Sequence, residues 1–450
     1  MLTLAYFSPL APVRSGISDY SHTLLAHLLN KARVDLWVDG LTPTDPRLQR
    51  ECGIVDFAAE PDRLGALEGY DGVIYQQANE LKYHRRIYEV SLRYPGVSVL
   101  HDFSLHPFIA TYWLDYKKDG DGYLRDMAYA HGEDGARVAR ATLKEVQAGR
   151  WQDPPWETAP LRYPLNRRVL RRSKGVIVHS DFARQRIEEM EPDLPVATVA
   201  HPELDEGLPQ ETPPPPLAAQ LKGYPGFVVA SLGFATNNKG LDVALKAFAA
   251  LRKRGAEAVY LLVGEVMPSF PLGSVLADLG LKLGEDVLTT GYVEDPALLN
   301  LYLDLCHVCI SLRRRTMGET SGVAVRALAR GRPLVVSDVG WFGDLPNDCV
   351  VKVSSGLGEA DRLAAYLVEL HDNPALRDLL GKNARRYAET HCVAEMVADQ
   401  YVTFCGQVGE RAPLDPCEPE YVREEALAQA RTPPGESSLD EIVRSIEREL

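Results

Sequence analysis

Short apolar, β-branched segments alternate with helix-like segments along most of this chain, and this alternation constrains the fold more than any other feature. In the first half the strand-like segments are L-T-L-A-Y-F, R-V-D-L-W-V, D-G-V-I-Y, V-S-V-L-H-D and K-G-V-I-V-H-S. The second half repeats the pattern with G-F-V-V-A-S-L-G, A-V-Y-L-L-V-G-E, C-H-V-C-I-S-L and R-P-L-V-V-S-D. Strands that alternate with helices form a parallel sheet covered on both faces. The sequence therefore predicts an α/β protein with two Rossmann-like, doubly wound domains.

The length of the chain also favours two domains, because 450 residues exceed the size at which a single core stops growing. A proline run, E-T-P-P-P-P-L, interrupts the alternation and predicts a linker. Two such domains on a hinge face each other across a cleft between the carboxyl ends of their sheets. The predicted segments are a first domain (1–205), a Pro-rich linker (206–225), a second domain (226–392), a helix that crosses back to the first domain (393–405), and an acidic, Pro-rich tail with a short amphipathic helix (406–450, with the helix at 438–450).

The formal net charge of -14 opposes non-specific binding to nucleic acid or to an anionic membrane. No stretch approaches the roughly 20 apolar residues of a membrane span, and the amino terminus reads as a first strand rather than a signal peptide. We therefore expect a cytoplasmic protein. One basic run is either a solvated helix face or a peripheral contact with an anionic lipid or a polyphosphate at the inner membrane face: Arg167, Arg168, Arg171, Arg172 and Lys174.

The seven cysteines are scattered without the spacing of a disulfide framework, which indicates reduced thiols. Cys306 and Cys309 form a C-H-V-C sequence that could suggest a metal or redox site. They lie in an apolar, strand-like segment, and no second pair of ligands has zinc spacing. We therefore expect both cysteines in the core.

The segment T-M-G-E-T-S-G-V-A-V-R (316–326) places a hydroxyl-capped helix start between two predicted strands. The first N–H groups of a helix have no partner within the helix, and the helix dipole favours an anion there. The backbone of Thr320, Ser321 and Gly322 could therefore bind a phosphate, while Glu319 could accept hydrogen bonds from sugar hydroxyls. The alternative interpretation is an ordinary helix cap.

A second segment at the start of the second domain, S-L-G-F-A-T-N-N-K-G-L-D (231–242), is also suited to a phosphate. Gly233 allows a ligand to approach the backbone closely, and the ammonium group of Lys239 can bind a diphosphate at the mouth of the cleft. A lysine before a helix is weak evidence by itself. The two segments together predict an anionic ligand on the second domain.

In this order and separation, the two segments resemble those of the retaining GT-B glycosyltransferases of glycosyltransferase family 4, also called group 1. The resemblance extends from Leu2 to about Phe404. It includes S-P-L-A-P-V-R-S-G-I-S-D-Y-S after the first strand, V-L-H-D at a strand end, K-G-L-D-V-A-L-K-A-F, T-G-Y-V-E-D, and A-L-A-R-G-R-P-L-V-V-S-D-V-G. It implies a GT-B fold that binds a nucleoside diphosphate sugar on the second domain and an acceptor on the first.

The resemblance also implies roles for the matching residues. Gly16 would lie against the donor phosphate, and His101 would hydrogen-bond the transferred sugar. Lys239 would bind the diphosphate, and Glu319 would contact the sugar hydroxyls as the second catalytic residue. The N–H groups of 320–322 would stabilise the leaving group as its charge develops. No cofactor and no divalent metal are expected, because these groups neutralise the diphosphate and no D-x-D stands at a predicted strand end.

Two departures from the family pattern affect the nucleotide side of the predicted site. Phe234 stands where the family carries an arginine that contacts phosphate. Of the family's two glutamates around this helix, the position of the first is Gly318, one place before Glu319, and that of the second, which grips the ribose, is Arg326. A guanidinium cannot accept hydrogen bonds from ribose hydroxyls. Arg326 and Arg315 are therefore candidates for phosphate or nucleotide contacts, and Arg313 and Arg314, next to Arg315, could also take over phosphate binding.

The first domain supplies candidates for the acceptor side of the cleft. They are Tyr20, Asn79, Asp102 and His106, with His84 as a weaker one. Asp102 is also a potential acid/base partner of His101, which it follows in sequence. Each candidate either lines the acceptor side or ties loops together. Three tryptophans could stack on a sugar or lipid, or pack in the core: Trp113, Trp151 and Trp156.

The principal hypothesis is a metal-independent, retaining glycosyltransferase that acts in surface polysaccharide or glycoconjugate assembly. One alternative is a GT-B nucleotide-sugar epimerase or phosphorylase. Another is a non-catalytic subunit that binds a nucleotide sugar, and the departures at Phe234 and Arg326 motivate it. No nucleic acid partner is expected. The donor nucleotide, the sugar, the acceptor, the linkage and the oligomeric state stay open.

Overall fold

A computed structural model describes residues 1–150, 154–203 and 215–422 of the chain. The first domain contains a parallel sheet of seven strands in the order β3-β2-β1-β4-β5-β6-β7. Its strands are β1 (Thr3–Phe7), β2 (Arg33–Val38), β3 (Gly53–Asp56), β4 (Gly72–Gln77), β5 (Val97–Leu100), β6 (Gly175–Val178) and β7 (Val196–Thr198).

The second domain contains a parallel sheet of six strands in the order β10-β9-β8-β11-β12-β13. In both sheets the order reverses beside the first strand, which is the switch point where doubly wound sheets bind ligands. The strands are β8 (Phe227–Leu232), β9 (Ala258–Val263), β10 (Val287–Thr289), β11 (Val308–Ser311), β12 (Leu334–Ser337) and β13 (Val350–Val353).

Helices cover both faces of each sheet, as the alternating sequence predicts. Those of the first half are α1 (Gly16–Leu28), α2 (Pro46–Glu51), α3 (Leu81–Arg93), α4 (His106–Ala110), α5 (Gly120–Gln147), α6 (Pro155–Thr158), α7 (Arg167–Arg172) and α8 (Asp181–Met190). Those of the second half are α9 (Pro216–Lys222), α10 (Leu241–Lys253), α11 (Leu272–Leu279), α12 (Pro296–Asp304), α13 (Gly322–Ala329), α14 (Gly340–Asp344), α15 (Glu359–Asp372), α16 (Pro374–His391) and α17 (Ala394–Val408).

Each strand contributes side chains to two cores, because successive residues point to opposite faces of a sheet. In β8, Val228 and Ala230 pack into one core of the second domain, while Phe227 and Val229 pack into the other. Cys306 and Cys309 are buried in the first of these cores, so the C-H-V-C sequence is structural, as predicted. No described helix has the length and apolar character that crossing a bilayer requires.

The last long helix, α17, packs on α1 beside the first sheet. Val397 and Tyr401 lie in the same core as Leu24 and Leu28, and the hydroxyls of Tyr20 and Tyr401 are 2.6 Å apart. The chain thus returns to the first domain after completing the second. The exact domain boundaries stay predictions.

Three sequence expectations need correction. The end of the predicted linker forms helix α9, which buries Ala218 and Leu221 in the core of the second domain. Residues 204–214 lie outside the described part. The start of the predicted tail belongs to α17 and then packs on the first domain, where the hydroxyl of Tyr421 lies 2.9 Å from that of Tyr88. The predicted amphipathic helix at 438–450 lies outside the described residues.

The third correction concerns the basic run of α7, which is neither a solvated face nor a free anion-binding patch. Arg167 and Arg171 both form ion pairs with Glu191, and Arg168 forms one with Asp126. The remaining two members donate to backbone carbonyls: Arg172 to Leu92 and Asp415, and Lys174 to Gly409. Their charges therefore hold α7 and the start of the tail in place.

Candidate functional site

The cleft lies between the carboxyl ends of the two sheets, and the two domains touch across it. The backbone N–H of Ser104 donates to the carbonyl oxygen of Met317 at 2.8 Å. The N–H of Phe182 donates to the Asp344 carboxylate at 2.8 Å. On the rim, Arg14 forms an ion pair with Glu294. The loop after β11 is thereby held against the loop after β5.

The carboxylate of Glu319 organises the loop after β11. Its Oε1 accepts from Arg313 Nε at 2.9 Å, and its Oε2 accepts from Thr316 Oγ1 at 2.9 Å and from Met317 N at 2.7 Å. A carboxylate oxygen has about two acceptor sites, so Oε1 retains one for a ligand hydroxyl. The Arg313 side chain is buried, whereas the Glu319 side chain is partly exposed toward the cleft.

The tight turn before Glu319 depends on glycine. Gly318 has φ of +78°, and a Cβ added there would lie 2.5 Å from Cβ of Phe103 in the first domain. Only glycine therefore allows the two loops to approach this closely.

Helix α13 begins at Gly322, three residues after Glu319, with the hydroxyl cap that the sequence predicts. Ser321 is its N-cap, and its side chain accepts from the N–H of Ala324. Within the described part of the chain, the N–H groups of Thr320, Ser321 and Gly322 have no protein acceptor. They can therefore donate to an anion in the cleft.

Lys239 lies at the end of a short 3₁₀ turn, Asn237–Lys239, just before α10. It lines a small pocket together with Gly233, Phe234 and Arg313. Burial, reinforced by the nearby Arg313 cation and opposed by Glu319, lowers the pKa of Lys239 to about 7. The Lys239 ammonium has no hydrogen-bond partner among the described residues, so an incoming anion would supply the missing counter-charge.

Two predicted glycines leave open space at the cleft. Gly16 is the first residue of α1, and a Cβ there would meet no protein atom within 4 Å. Gly233 has φ of +89° and is likewise open on its Cβ side. The backbone of Gly264 lies directly against that of Gly233, because a Cβ on Gly264 would be only 2.4 Å from the carbonyl oxygen of Gly233.

His101 is held by a glutamine rather than by the neighbouring aspartate, which corrects the predicted acid/base pair. Its Nε2 is 2.7 Å from Oε1 of Gln76, whose amide nitrogen donates to the Tyr6 hydroxyl. Nε2 therefore carries the proton, and Nδ1 keeps a lone pair. Burial, together with His179, His201 and His84, lowers the pKa of His101 well below its usual value. The ring is thus a neutral hydrogen-bond acceptor at physiological pH.

Asp102 faces the second domain instead. Its Oδ2 accepts from the backbone N–H of Asn79 at 3.1 Å. Burial, with a further contribution from the Glu319 carboxylate, raises the pKa of Asp102 to about 7. The two carboxyl groups come from different domains, so their interaction depends on how the domains are arranged across the cleft.

The other acceptor-side candidates have structural partners within the first domain or with α17. Tyr20 is fully buried against Tyr401, and Asn79 ties loops by donating to the Ser104 carbonyl and accepting from the Phe108 N–H. His106 is buried with its Nε2 2.8 Å from the Tyr123 hydroxyl.

The remaining aromatic and histidine candidates are also structural. His84 lies 3.0 Å from the Gln76 carbonyl, and the Trp113 indole donates to Asp126. Trp156 packs against His106. Trp151 lies outside the described residues.

Neither arginine candidate reaches the diphosphate position. Arg326 is buried and donates to Oδ1 of Asn300 on α12 at 3.0 Å, which directs it away from the start of α13. Arg315 is exposed, and its backbone N–H donates to Oδ1 of Asn238. Of the three successive arginines 313–315 that the sequence offers for phosphate binding, Arg313 lines the pocket that contains Lys239.

Sequence reasoning missed an aromatic and cationic group on the rim. The exposed rings of Phe234 and Tyr292 stack with centroids 5.9 Å apart and an interplanar angle of 21°. The Arg14 guanidinium lies 5.4 Å from the centroid of the Tyr292 ring. The T-G-Y-V-E-D motif contains Tyr292 and Glu294, but nothing in the sequence indicates that Arg14 contacts both.

Two Rossmann-like parallel sheets that face a shared cleft define the GT-B fold, and solved structures with this fold align along most of the chain. Sucrose-phosphate synthase from Thermosynechococcus elongatus aligns with a TM-score of 0.60 and 18% identity over 91% of this chain and 99% of its own. Anabaena HepE in complex with UDP aligns with a TM-score of 0.60 and 15% identity, over 90% and 100% of the two chains. At such identities the likeness establishes the fold alone.

The second domain is more specific, because residues 226–373 match the sequence model of "Glycosyl transferases group 1". Mannosylfructose-phosphate synthase from Agrobacterium fabrum is 33% identical over 121 residues, which is 26% of each chain. The match spans about a quarter of that curated relative. The match to the group 1 sequence model confirms the predicted resemblance for the domain that carries Lys239 and Glu319.

Proposed function

We propose that this protein is a retaining glycosyltransferase that moves a sugar from a nucleoside diphosphate sugar to an acceptor bound by the first domain. The observation that carries the proposal is the convergence of three groups at one end of the cleft. These are the Lys239 ammonium, the unpaired N–H groups at the start of α13, and the Glu319 carboxylate. The ammonium and the N–H groups can donate hydrogen bonds to the two phosphates of a diphosphate, and the fixed carboxylate can accept hydrogen bonds from sugar hydroxyls.

In the proposed reaction the bond between the anomeric carbon and the diphosphate oxygen breaks, and a bond from that carbon to the acceptor oxygen forms. The acceptor proton passes to the departing phosphate oxygen. Lys239 and the N–H groups of 320–322 stabilise the charge that develops on the diphosphate. Glu319 Oε1 and the neutral His101 Nδ1 accept hydrogen bonds from the sugar hydroxyls and orient the ring.

We propose that transfer does not require a divalent metal, because the donors above supply the positive charge. Complexes of the related fold support a nucleotide ligand, since HepE was solved with UDP, with UDP and glucose, and with UDP-glucose. WaaG, a further GT-B neighbour with a TM-score of 0.52, is a glycosyltransferase involved in lipopolysaccharide biosynthesis. This supports surface glycoconjugate assembly as the setting of the proposed activity.

The first test is thermal stability of the purified protein with UDP, GDP, ADP, dTDP or CMP, each with magnesium and with EDTA. A bound ligand stabilises the folded state by mass action. We expect one diphosphate to raise the Tm equally in both conditions, and its sugar derivative to be consumed in the presence of acceptor. A shift without any turnover would favour a non-catalytic binding subunit. No shift with any nucleotide would contradict the proposal.

A further inference from the structure

A second cavity lies at the opposite end of the second sheet from the cleft. It has a volume of about 360 Å³ and is formed by the residues that precede β11 and β12, the end of α13 and one face of α16. Helix α13 is eight residues long, which corresponds to about 12 Å, so its two ends separate this cavity from the proposed diphosphate site. We call it the basal cavity.

The basal cavity is strongly cationic, although the whole chain carries a net charge of -14. Asp378 is the one acidic residue in its wall. His307 adds a further donor, because its Nδ1 accepts from the Val228 N–H, which leaves the proton on Nε2. The cationic residues of the wall are Arg330, Arg332, Arg377, Lys382 and Arg385.

Part of this charge has a structural role. Arg330 pairs with Asp304, Arg332 donates to the carbonyls of Asp304 and Cys306, and Arg377 donates to those of Leu370 and His371. Three of the five cations therefore stabilise the fold, because they bind acceptor groups at the ends of helices and just before a strand.

The two remaining cations have no such role. Within the described residues, the side chains of Lys382 and Arg385 make no hydrogen bond or ion pair, and both are exposed on the side of α16 that borders the basal cavity. Burial and the positive field of Arg377 and Arg332 lower the pKa of His307, which is consistent with an excess of positive charge there. An anion bound here would exchange the water around the two exposed cations for charge-assisted hydrogen bonds and would offset the excess positive charge.

We propose that the basal cavity binds a phosphate group of a small phosphorylated ligand, at a site separate from the cleft. The inference does not depend on the proposed transferase activity, since none of its residues lies in the donor site. The guanidinium of Arg385, the ammonium of Lys382 and the imidazole N–H of His307 border one cavity and can each donate to a different oxygen of a phosphate. A cavity of this size accommodates a phosphate ester and excludes a folded macromolecule.

The test uses inorganic pyrophosphate as the probe, at constant ionic strength, because surface charge is screened by salt. Calorimetry is performed on full-length Lys239→Ala, which removes the main cation of the cleft. We expect saturable binding near one equivalent. The double variant Lys382→Glu/Arg385→Glu in the same background should weaken it at least tenfold. Arg385→Glu alone should also weaken binding, and Arg386→Glu is its charge-matched control, because Arg386 is an exposed residue of the same helix outside the cavity wall.

Absence of binding to Lys239→Ala would overturn the proposal. So would an equal loss in the Arg386→Glu control, since that would indicate a general effect of charge. Cosedimentation with phosphatidylglycerol vesicles, compared with phosphatidylcholine vesicles, identifies the source of the phosphate. Binding to pyrophosphate alone supports a soluble phosphate ester, and vesicle binding that the double variant loses supports a lipid headgroup. Nucleotide binding in the cleft, measured separately, distinguishes failure of this inference from failure of the proposed function.

Discussion

The backbone N–H of Ser104 in the first domain donates to the carbonyl oxygen of Met317 in the second, at 2.8 Å. This bond docks the loop that carries Glu319 beside the loop that carries His101 and Asp102. Since it joins backbone atoms, no side-chain substitution removes it directly. A substitution that forces the loops apart should break it, and it should disturb the cleft before it disturbs either domain.

Gly318→Ala is such a substitution. The alanine would combine an unfavourable positive φ with a contact of 2.5 Å to Phe103. We expect at least a tenfold loss of nucleotide affinity, measured by calorimetry, and a loss of about 1–2 kcal/mol in stability from the backbone conformation. Gly255→Ala is the control, because Gly255 has φ of +90° and open space around it. Equal effects of both variants on affinity would show that loop contact is unimportant.

The pKa of about 7 at Lys239 predicts how diphosphate binding depends on pH. Binding requires the ammonium form, so affinity should fall by up to about tenfold per pH unit above pH 7. At pH 8 the complex should take up a proton, which calorimetry in two buffers of different ionisation enthalpy detects. Lys239→Arg stays charged and should flatten the profile. A steep profile that persists in this variant would assign the titration to another group.

The same pKa has a consequence for stability. Between about pH 7 and the usual lysine value, the unfolded chain binds a proton at Lys239 that the folded protein does not. The contribution of this group therefore favours folding increasingly as the pH rises through that window, and it is constant below pH 7. Urea unfolding of the protein and of Lys239→Met at pH 6.5 and 9 measures the difference. The stability advantage of the methionine variant should shrink at pH 9.

Glu319→Gln tests the proposed sugar-binding carboxylate. The substitution keeps the shape of the side chain but leaves buried Arg313 without its counter-ion, so we expect a loss of about 1–3 kcal/mol in stability. Turnover of the donor sugar should fall by more than tenfold. Thr316→Val removes one hydrogen bond to the same carboxylate and preserves its charge. Turnover of Glu319→Gln equal to that of Thr316→Val would contradict a direct role for the carboxylate.

Phe234→Arg tests the departure from the family pattern at the phosphate pocket. Phe234 is 47% exposed, so the change should alter stability by less than about 1 kcal/mol. A guanidinium at this position should tighten pyrophosphate binding, while Phe234→Leu should leave it unchanged. If nucleotide affinity falls although pyrophosphate affinity rises, the stacked Phe234 and Tyr292 rings contribute to the nucleotide complex. Unchanged pyrophosphate affinity in Phe234→Arg would show that this position does not reach the phosphate.

The sequence alone determined the two doubly wound sheets and the capped start of α13, because both depend on local periodicity and on residues a few positions apart. The positions of Lys239 and Glu319 in loops that precede helices also follow from the sequence, since parallel strands direct their carboxyl ends to one edge of the sheet. The roles of these residues as ligand contacts stay predictions.

Only the tertiary structure decided which side chains face the cleft. Tyr20 and His106 occur in loop or helix starts that look accessible in sequence, yet packing from α17 and from Tyr123 buries them. His101 pairs with Gln76 from a neighbouring strand rather than with adjacent Asp102, because successive residues at a strand end point in different directions. The orientation of the Arg326 side chain likewise depends on a tertiary contact, because it donates to Asn300 on α12, a helix that is distant in sequence. Contacts between residues that are distant in sequence therefore determine which of the candidate side chains face the cleft.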